Sequence, residues 1–131
     1  MSSRLLNWLN SGSTKGAEDV EKVFGGRIAL TDNAFFDRYF AGSDVSKDVA
    51  IGVRGAFIDH VPFDMKRLAP DDSFKNELNF VWGYDSLADV EVICEIEKRF
   101  GVKISNAEAR EAATLGDMIN LVNRKLISKS A

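Results

Sequence analysis

The stretch Gly83-Tyr84-Asp85-Ser86-Leu87-Ala88-Asp89-Val90-Glu91-Val92 decides how the rest of this 131-residue chain is read. A serine follows an aspartate and opens a run in which acidic and apolar residues interleave. Serine is a favoured helix N-cap, and Asp89, three residues on, supplies the acid of a capping box in its shorter form. The spacing predicts a helix from Ser86 to about Phe100. Its inner face is read as Leu87, Val90, Ile93 or Cys94, and Ile96 with Phe100, and Gly101 stops it.

Downstream, a short helical turn is expected over Asn106 to Glu111. Thr114 then caps a last helix with Leu115, Met118, Ile119 and Val122 inward. Arg124 and Lys125 fall near its C-terminus, where the helix dipole favours cations. Upstream, Ser46 can cap a helix in which Val49, Val53, Phe57 and Val61 recur every four residues, ended by Pro62. Gly52 and Gly55 weaken that helix by roughly 1 kcal/mol each against alanine, so packing must hold it. A connection of about twenty residues follows, and Phe63, Leu68, Phe74 and Leu78 are its natural anchors.

The N-terminal part reads differently. Ala17 to Phe24 makes two helical turns stopped by Gly25-Gly26, and Thr31 or Asp32 caps a second short helix. Phe35, Phe36, Tyr39 and Phe40 form one stripe on it, expected to dock on the main bundle, with a partner surface as the other reading. Ala41-Gly42-Ser43-Asp44 separates this extension, residues 1–44, from a main unit over 45–131. Periods near 3.6 throughout and no strong alternating strand give an all-α fold.

Composition narrows the function. Apolar residues are 45% and charged residues 28%, a globular balance. Net charge is −3, with no basic run or aromatic-basic interleaving, so nucleic acid is a poor partner. No run approaches the roughly 20 apolar residues of a membrane helix. Leu5, Leu6, Trp8 and Leu9 make a group too short for a secretory signal. One cysteine, Cys94, rules out an intramolecular disulfide and fits a reducing cytoplasm. It is read as a structural residue at or near the core. No His/Cys/Asp cluster has metal-ligand spacing. His60, the only histidine, sits at the end of its helix, is expected exposed, and has no nucleophile elbow to serve.

Asp85-Ser86-Leu87, followed by Val90-Glu91, Glu95-Ile96-Glu97, Phe100, Val102-Lys103-Ile104, Glu108 and Thr114, resembles the acyl carrier protein family. Upstream, Asp72-Ser73-Phe74-Lys75-Asn76-Glu77-Leu78 is similar to the family's loop before the motif. The likeness covers about residues 46–127. It implies a four-helix bundle of three long helices and one short, with a long first loop. It also implies that Ser86 receives 4′-phosphopantetheine from coenzyme A through a phosphopantetheinyl transferase, flanked by Asp85 and Leu87. The arm's thiol then carries an acyl group as a thioester. The resemblance thus points to a carrier, not an enzyme: freestanding, cytoplasmic, monomeric, serving fatty-acid, lipid or secondary-metabolite synthesis.

A helix N-terminus suits a phosphodiester, through its unpaired amides and partial positive charge. The plain alternative is that Ser86 only caps its helix. The acids Asp89, Glu91 and Glu95 are either a solvated face or, as the family implies, contacts for basic patches on acyl-transferring and acyl-activating enzymes. Two other functions compete: an unmodified interaction module with the carrier fold, and an aminoacyl or peptidyl carrier. Some features depart from a minimal carrier. Lys98 and Arg99 interrupt the acids, the main unit balances at −2, and Asn79-Phe80-Val81-Trp82 looks like an insertion beside Tyr84. The aromatics near Ser86 either cap the bundle against water or line an acyl entrance.

Overall fold

A computed structural model describes residues 13–130 as seven helices. They are α1 (Ser13–Phe24), α2 (Asp32–Tyr39), α3 (Lys47–His60), α4 (Asn79–Tyr84), α5 (Ala88–Phe100), α6 (Asn106–Glu111) and α7 (Leu115–Ser130). The only sheet-like pairing among the described residues is an isolated bridge, Ser73 with Thr114. The fold is therefore all-α, as the periodicity predicts. The group Leu5, Leu6, Trp8 and Leu9 lies outside the described residues.

The row Val49, Val53, Phe57 and Val61 is buried throughout, and α3 packs against α5, α7 and α2. Gly52 and Gly55 have a packing reason. A Cβ on Gly52 would lie 2.4 Å from the Phe100 ring, and one on Gly55 would lie 2.9 Å from Arg99 Nη1. Their absent side chains let α5 approach α3 closely, which offsets their low helix propensity. Gly101 ends α5 in the left-handed conformation, φ 65°, as a helix C-cap glycine does.

The caps partly differ from the expectation. Ser46 occupies the N-cap position of α3 without a side-chain cap bond, and its N–H goes instead to Asn123 Oδ1, at 3.1 Å. Thr114 Oγ1 accepts the Asp117 N–H at 3.1 Å, and Asp117 Oδ2 accepts from Ala113 and Thr114 in return. The full capping box belongs to α6, between Ser105 and Glu108.

The connection from α3 to α5 is not bare loop. Asn79–Tyr84 coils into α4, so the aromatic insertion forms its own short helix. Leu68, Leu78 and Val81 are fully buried, and Phe63 nearly so. Two buried charges tie this connection to the N-terminal segment. Asp72 is 2% exposed and takes Arg27 in a two-pronged pair at 2.8 and 2.9 Å. Arg54 is 1% exposed. It donates to Asp32 Oδ1 at 2.7 Å, to the Lys66 carbonyl at 3.0 Å and to the Leu30 carbonyl. Its guanidinium lies 5.0 Å from the Phe35 ring centre. Phe35 is fully buried, Phe40 nearly so, and both join the cluster that contains Val53 and Ile119. Tyr39, on the same helix, stays exposed.

Candidate functional site

The motif serine stands just outside its helix. Asp85 N–H closes α4 on the Val81 carbonyl at 2.9 Å, and the Asp85 carbonyl accepts Ala88 N–H at 3.2 Å. Between them Ser86 and Leu87 form a turn, and α5 starts at Ala88. Asp85 is only 8% exposed, and its Oδ1 accepts the Leu87 N–H at 3.1 Å. This is an Asx turn that holds the backbone just ahead of α5, on a different amide from the Asp89 N–H that a capping Ser86 would take. The N-cap position of α5 is Leu87, with no side-chain cap bond, so the capping reading of Ser86 does not hold, and Ser86 is exposed.

Of the face expected on α5, Ile96 is buried and Ile93 and Phe100 pack partly buried on the core, whereas the first turn and Cys94 differ. Ala88, Val92 and Ile96 are buried, while Leu87 is 61% and Val90 55% exposed. Cys94, expected near the core, is an exposed free thiol. The physical reason is the close approach of α3. Small Ala88 and the i, i+4, i+8 row below it fit that contact, which leaves the row Leu87, Val90, Cys94 outward.

The acidic residues fall into two groups. Asp89 is exposed, and its Oδ1 accepts Val90 N–H at 2.8 Å. Glu95 is committed to α3 and to its own helix. Its Oε1 lies 3.2 Å from His60 Nε2, and its Oε2 accepts from Arg99 Nη2 at 3.0 Å. The His60 bond first, and the Arg99 bond second, hold the Glu95 carboxyl below its ordinary pKa. Glu91 Oε2 is 3.9 Å from His60 Nδ1. Arg99 also donates to the Gly52 carbonyl at 2.9 Å and to Asp59 at 3.1 Å. His60, expected exposed, is instead part of this half-buried network.

An apolar cavity of about 220 Å³ begins one turn beyond Ser86. Phe57, Phe74, Trp82, Val92, Ile93 and Met118 supply its apolar wall, with Asp89 and Arg110 as its charged members. Phe57 and Phe74 stack with ring centres 5.7 Å apart, and Trp82 Nε1 donates to the Phe74 carbonyl at 2.9 Å. The larger depression around Asp44, Glu108, Asp117 and Arg124 is polar-lined and includes none of the residues near Ser86.

Tyr84 packs edge-on against Phe63, ring centres 5.2 Å apart, and its hydroxyl lies 3.1 Å from Asp19 Oδ2 on α1. Partial burial, then the Asp19 bond, raise the pKa of that hydroxyl, so it stays a donor at neutral pH. No sequence pattern pairs Asp19 with Tyr84, or Arg54 with Asp32. Ser105-Asn106-Ala107-Glu108, by contrast, is a capping-box pattern that could have been read directly. Among the described residues no group of three or more His, Cys, Asp or Glu could hold a metal ion. No helix among them is long and apolar enough to cross a membrane.

An exposed serine hydroxyl, a turn fixed from below by a buried aspartate, and an apolar cavity one turn away fit a phosphodiester-linked arm with an apolar load. The sequence pattern of the family described as phosphopantetheine attachment site matches residues 53–122. An acyl carrier protein from Thermosynechococcus vestitus is 34% identical over 74 residues, covering 56% of this chain and 86% of that protein. No solved structure matches the chain. The two matches imply a covalently attached 4′-phosphopantetheine and a carrier role. The chain belongs to the acyl carrier protein family, with its phosphopantetheine attachment domain spanning α3 to α7.

Proposed function

We propose that this protein carries acyl intermediates as thioesters on a 4′-phosphopantetheine arm held by Ser86, and is itself no catalyst. The observation that carries this is the exposed Ser86 on the Asp85-pinned turn at the mouth of α5. In attachment, Ser86 Oγ forms a bond to the phosphorus of the arm and loses its proton, and the nucleotide half of coenzyme A leaves. The arm supplies the thiol on which the acyl group is held. The chain's own residues do the rest. Asp85 fixes the turn, and the positive end of the α5 dipole favours the phosphodiester charge. The wall of Phe57, Trp82, Ile93 and Met118 shields an apolar chain from water.

The cavity of about 220 Å³ offers that chain an apolar surface beside the arm. Partners are a phosphopantetheinyl transferase and acyl-handling enzymes with basic docking patches. Asp89 offers them a carboxylate at the surface, Glu91 one that lies 3.9 Å from His60 Nδ1, and Glu95 must first leave His60 and Arg99. The exposed free Cys94 suits the reducing cytoplasm in which such synthesis runs.

The test is intact mass after incubation with coenzyme A and a broad-specificity transferase. Wild type should gain about 340 Da, the mass of the arm, and Ser86→Ala should gain nothing. Addition that survives Ser86→Ala overturns the site, and an unmodified wild type favours the interaction-module reading.

A further inference from the structure

The N-terminal helix reaches the residue two before Ser86 through a hydrogen bond. Contacts from Asp19 to Leu30 run along the connection that leads to Ser86. Glu21 pairs with Arg67 at 2.9 Å, Leu30 N–H donates to Lys66, and Arg27 grips Asp72. Phe24 meets the Phe80 ring of α4 at 6.5 Å. Farthest along, Asp19 meets the hydroxyl of Tyr84, two residues before Ser86. The family match starts at residue 53, so α1 lies wholly outside it.

α4 has six residues, too short to hold its own geometry. Two of its side chains make hydrogen bonds that anchor it from opposite sides. Trp82 donates to Phe74 in the connection, and Tyr84 meets Asp19 on α1. The last turn of α4 runs through Asp85, whose N–H closes on Val81. A shift of Tyr84 is therefore a shift of the Asp85-Ser86-Leu87 turn.

We propose that Asp19 and Tyr84 are positioning residues for arm attachment: their bond selects the orientation in which Ser86 meets the transferase. This rests on Ser86 being the attachment residue. Without the bond, the competent orientation is only one of several. Apparent affinity for the transferase falls by the fraction lost, while the saturated rate does not.

The experiment uses the full chain at 25 °C, where circular dichroism shows each variant folded, and reads steady-state arm transfer from coenzyme A. Tyr84→Phe keeps the ring on Phe63 and removes the hydroxyl. It should raise KM for the carrier about three- to ten-fold, the weight of one hydrogen bond, with kcat unchanged. Amide exchange at Leu87 and Ala88 should quicken in the unmodified protein. Asp19→Asn keeps an acceptor and should behave as wild type. Asp19→Leu should match Tyr84→Phe, and the double variant should be no worse than either. An unchanged KM in Tyr84→Phe overturns the proposal. So does Asp19→Asn failing as badly as Asp19→Leu, which would make charge, not position, the cause. A wild type that never gains the arm sinks the attachment reading and this inference together, whereas a modified wild type with a normal Tyr84→Phe sinks this inference alone.

Discussion

Replacing Phe35 by alanine isolates what the aromatic stripe of α2 contributes. Phe35 is 0% exposed, with ring centres 5.3 Å from Tyr39 and 5.9 Å from Phe40, and it covers the buried Arg54 guanidinium at 5.0 Å. Lost burial and the residual cavity together cost about 3–5 kcal/mol for a buried Phe→Ala. The cation–π contact with a desolvated arginine adds about 1–2 kcal/mol. Water entering the hole can solvate Arg54 and returns part of that. The net expectation is a loss of about 4 kcal/mol, or a fall of about 12–20 °C in the unfolding midpoint for a domain of this size. Tyr39→Ala, on the same helix but 39% exposed, is the control and should lose only about 1 kcal/mol. Urea titration followed by circular dichroism at equal m-value measures both. If Phe35→Ala loses no more than Tyr39→Ala, the packing of α2 onto the bundle contributes nothing to its stability, and the stripe is better read as a surface for a partner.

Two further outcomes follow from the site. Trp82→Ala should enlarge the cavity toward Phe74 and move the best-protected thioester to longer acyl chains, read as hydrolysis rate against chain length by mass spectrometry. An unchanged optimum would show that the chain does not enter there. Glu95 has its folded pKa depressed by His60 and Arg99, so its contribution to stability is present above its ordinary value near 4.5 and is lost as pH falls through the lowered value. The difference in melting temperature between wild type and Glu95→Gln should therefore be full above the ordinary glutamate value and shrink as pH falls below it. A difference that holds constant to the lowest pH would mean the ion pairs are not its source.

Much of the fold was legible because it is written in single-helix periods. The row Val49 to Val61 reads as a buried face and is one, and Gly101 and Thr114 mark ends that the helices respect. What escaped was set between helices. The first turn of α5 puts Ala88 inward and Leu87 outward, a choice that no periodicity within α5 alone makes. The part Arg54 plays in the core is not visible from its own helix, because its partners come from residues 30, 32 and 66. The local geometry of the motif serine was not legible: spacing alone puts Ser86 at the N-cap, whereas the N-cap position is Leu87 and the turn before it is held by Asp85.

The buried Arg54 separates two units that are easily taken as one. The matched family pattern begins at residue 53, in the middle of α3, one residue before the arginine. A transplant of residues 53–122 into another polypeptide would carry the guanidinium without Leu30, Asp32 and Phe35, and without Val49 and Ala50 from its own helix. The stretch that inheritance repeats is thus smaller than the stretch that folds. A chimera or a minimal carrier drawn along the line of similarity would strip that charge of its partners and its cover, whereas one that starts at or before Arg27 would keep its neighbours.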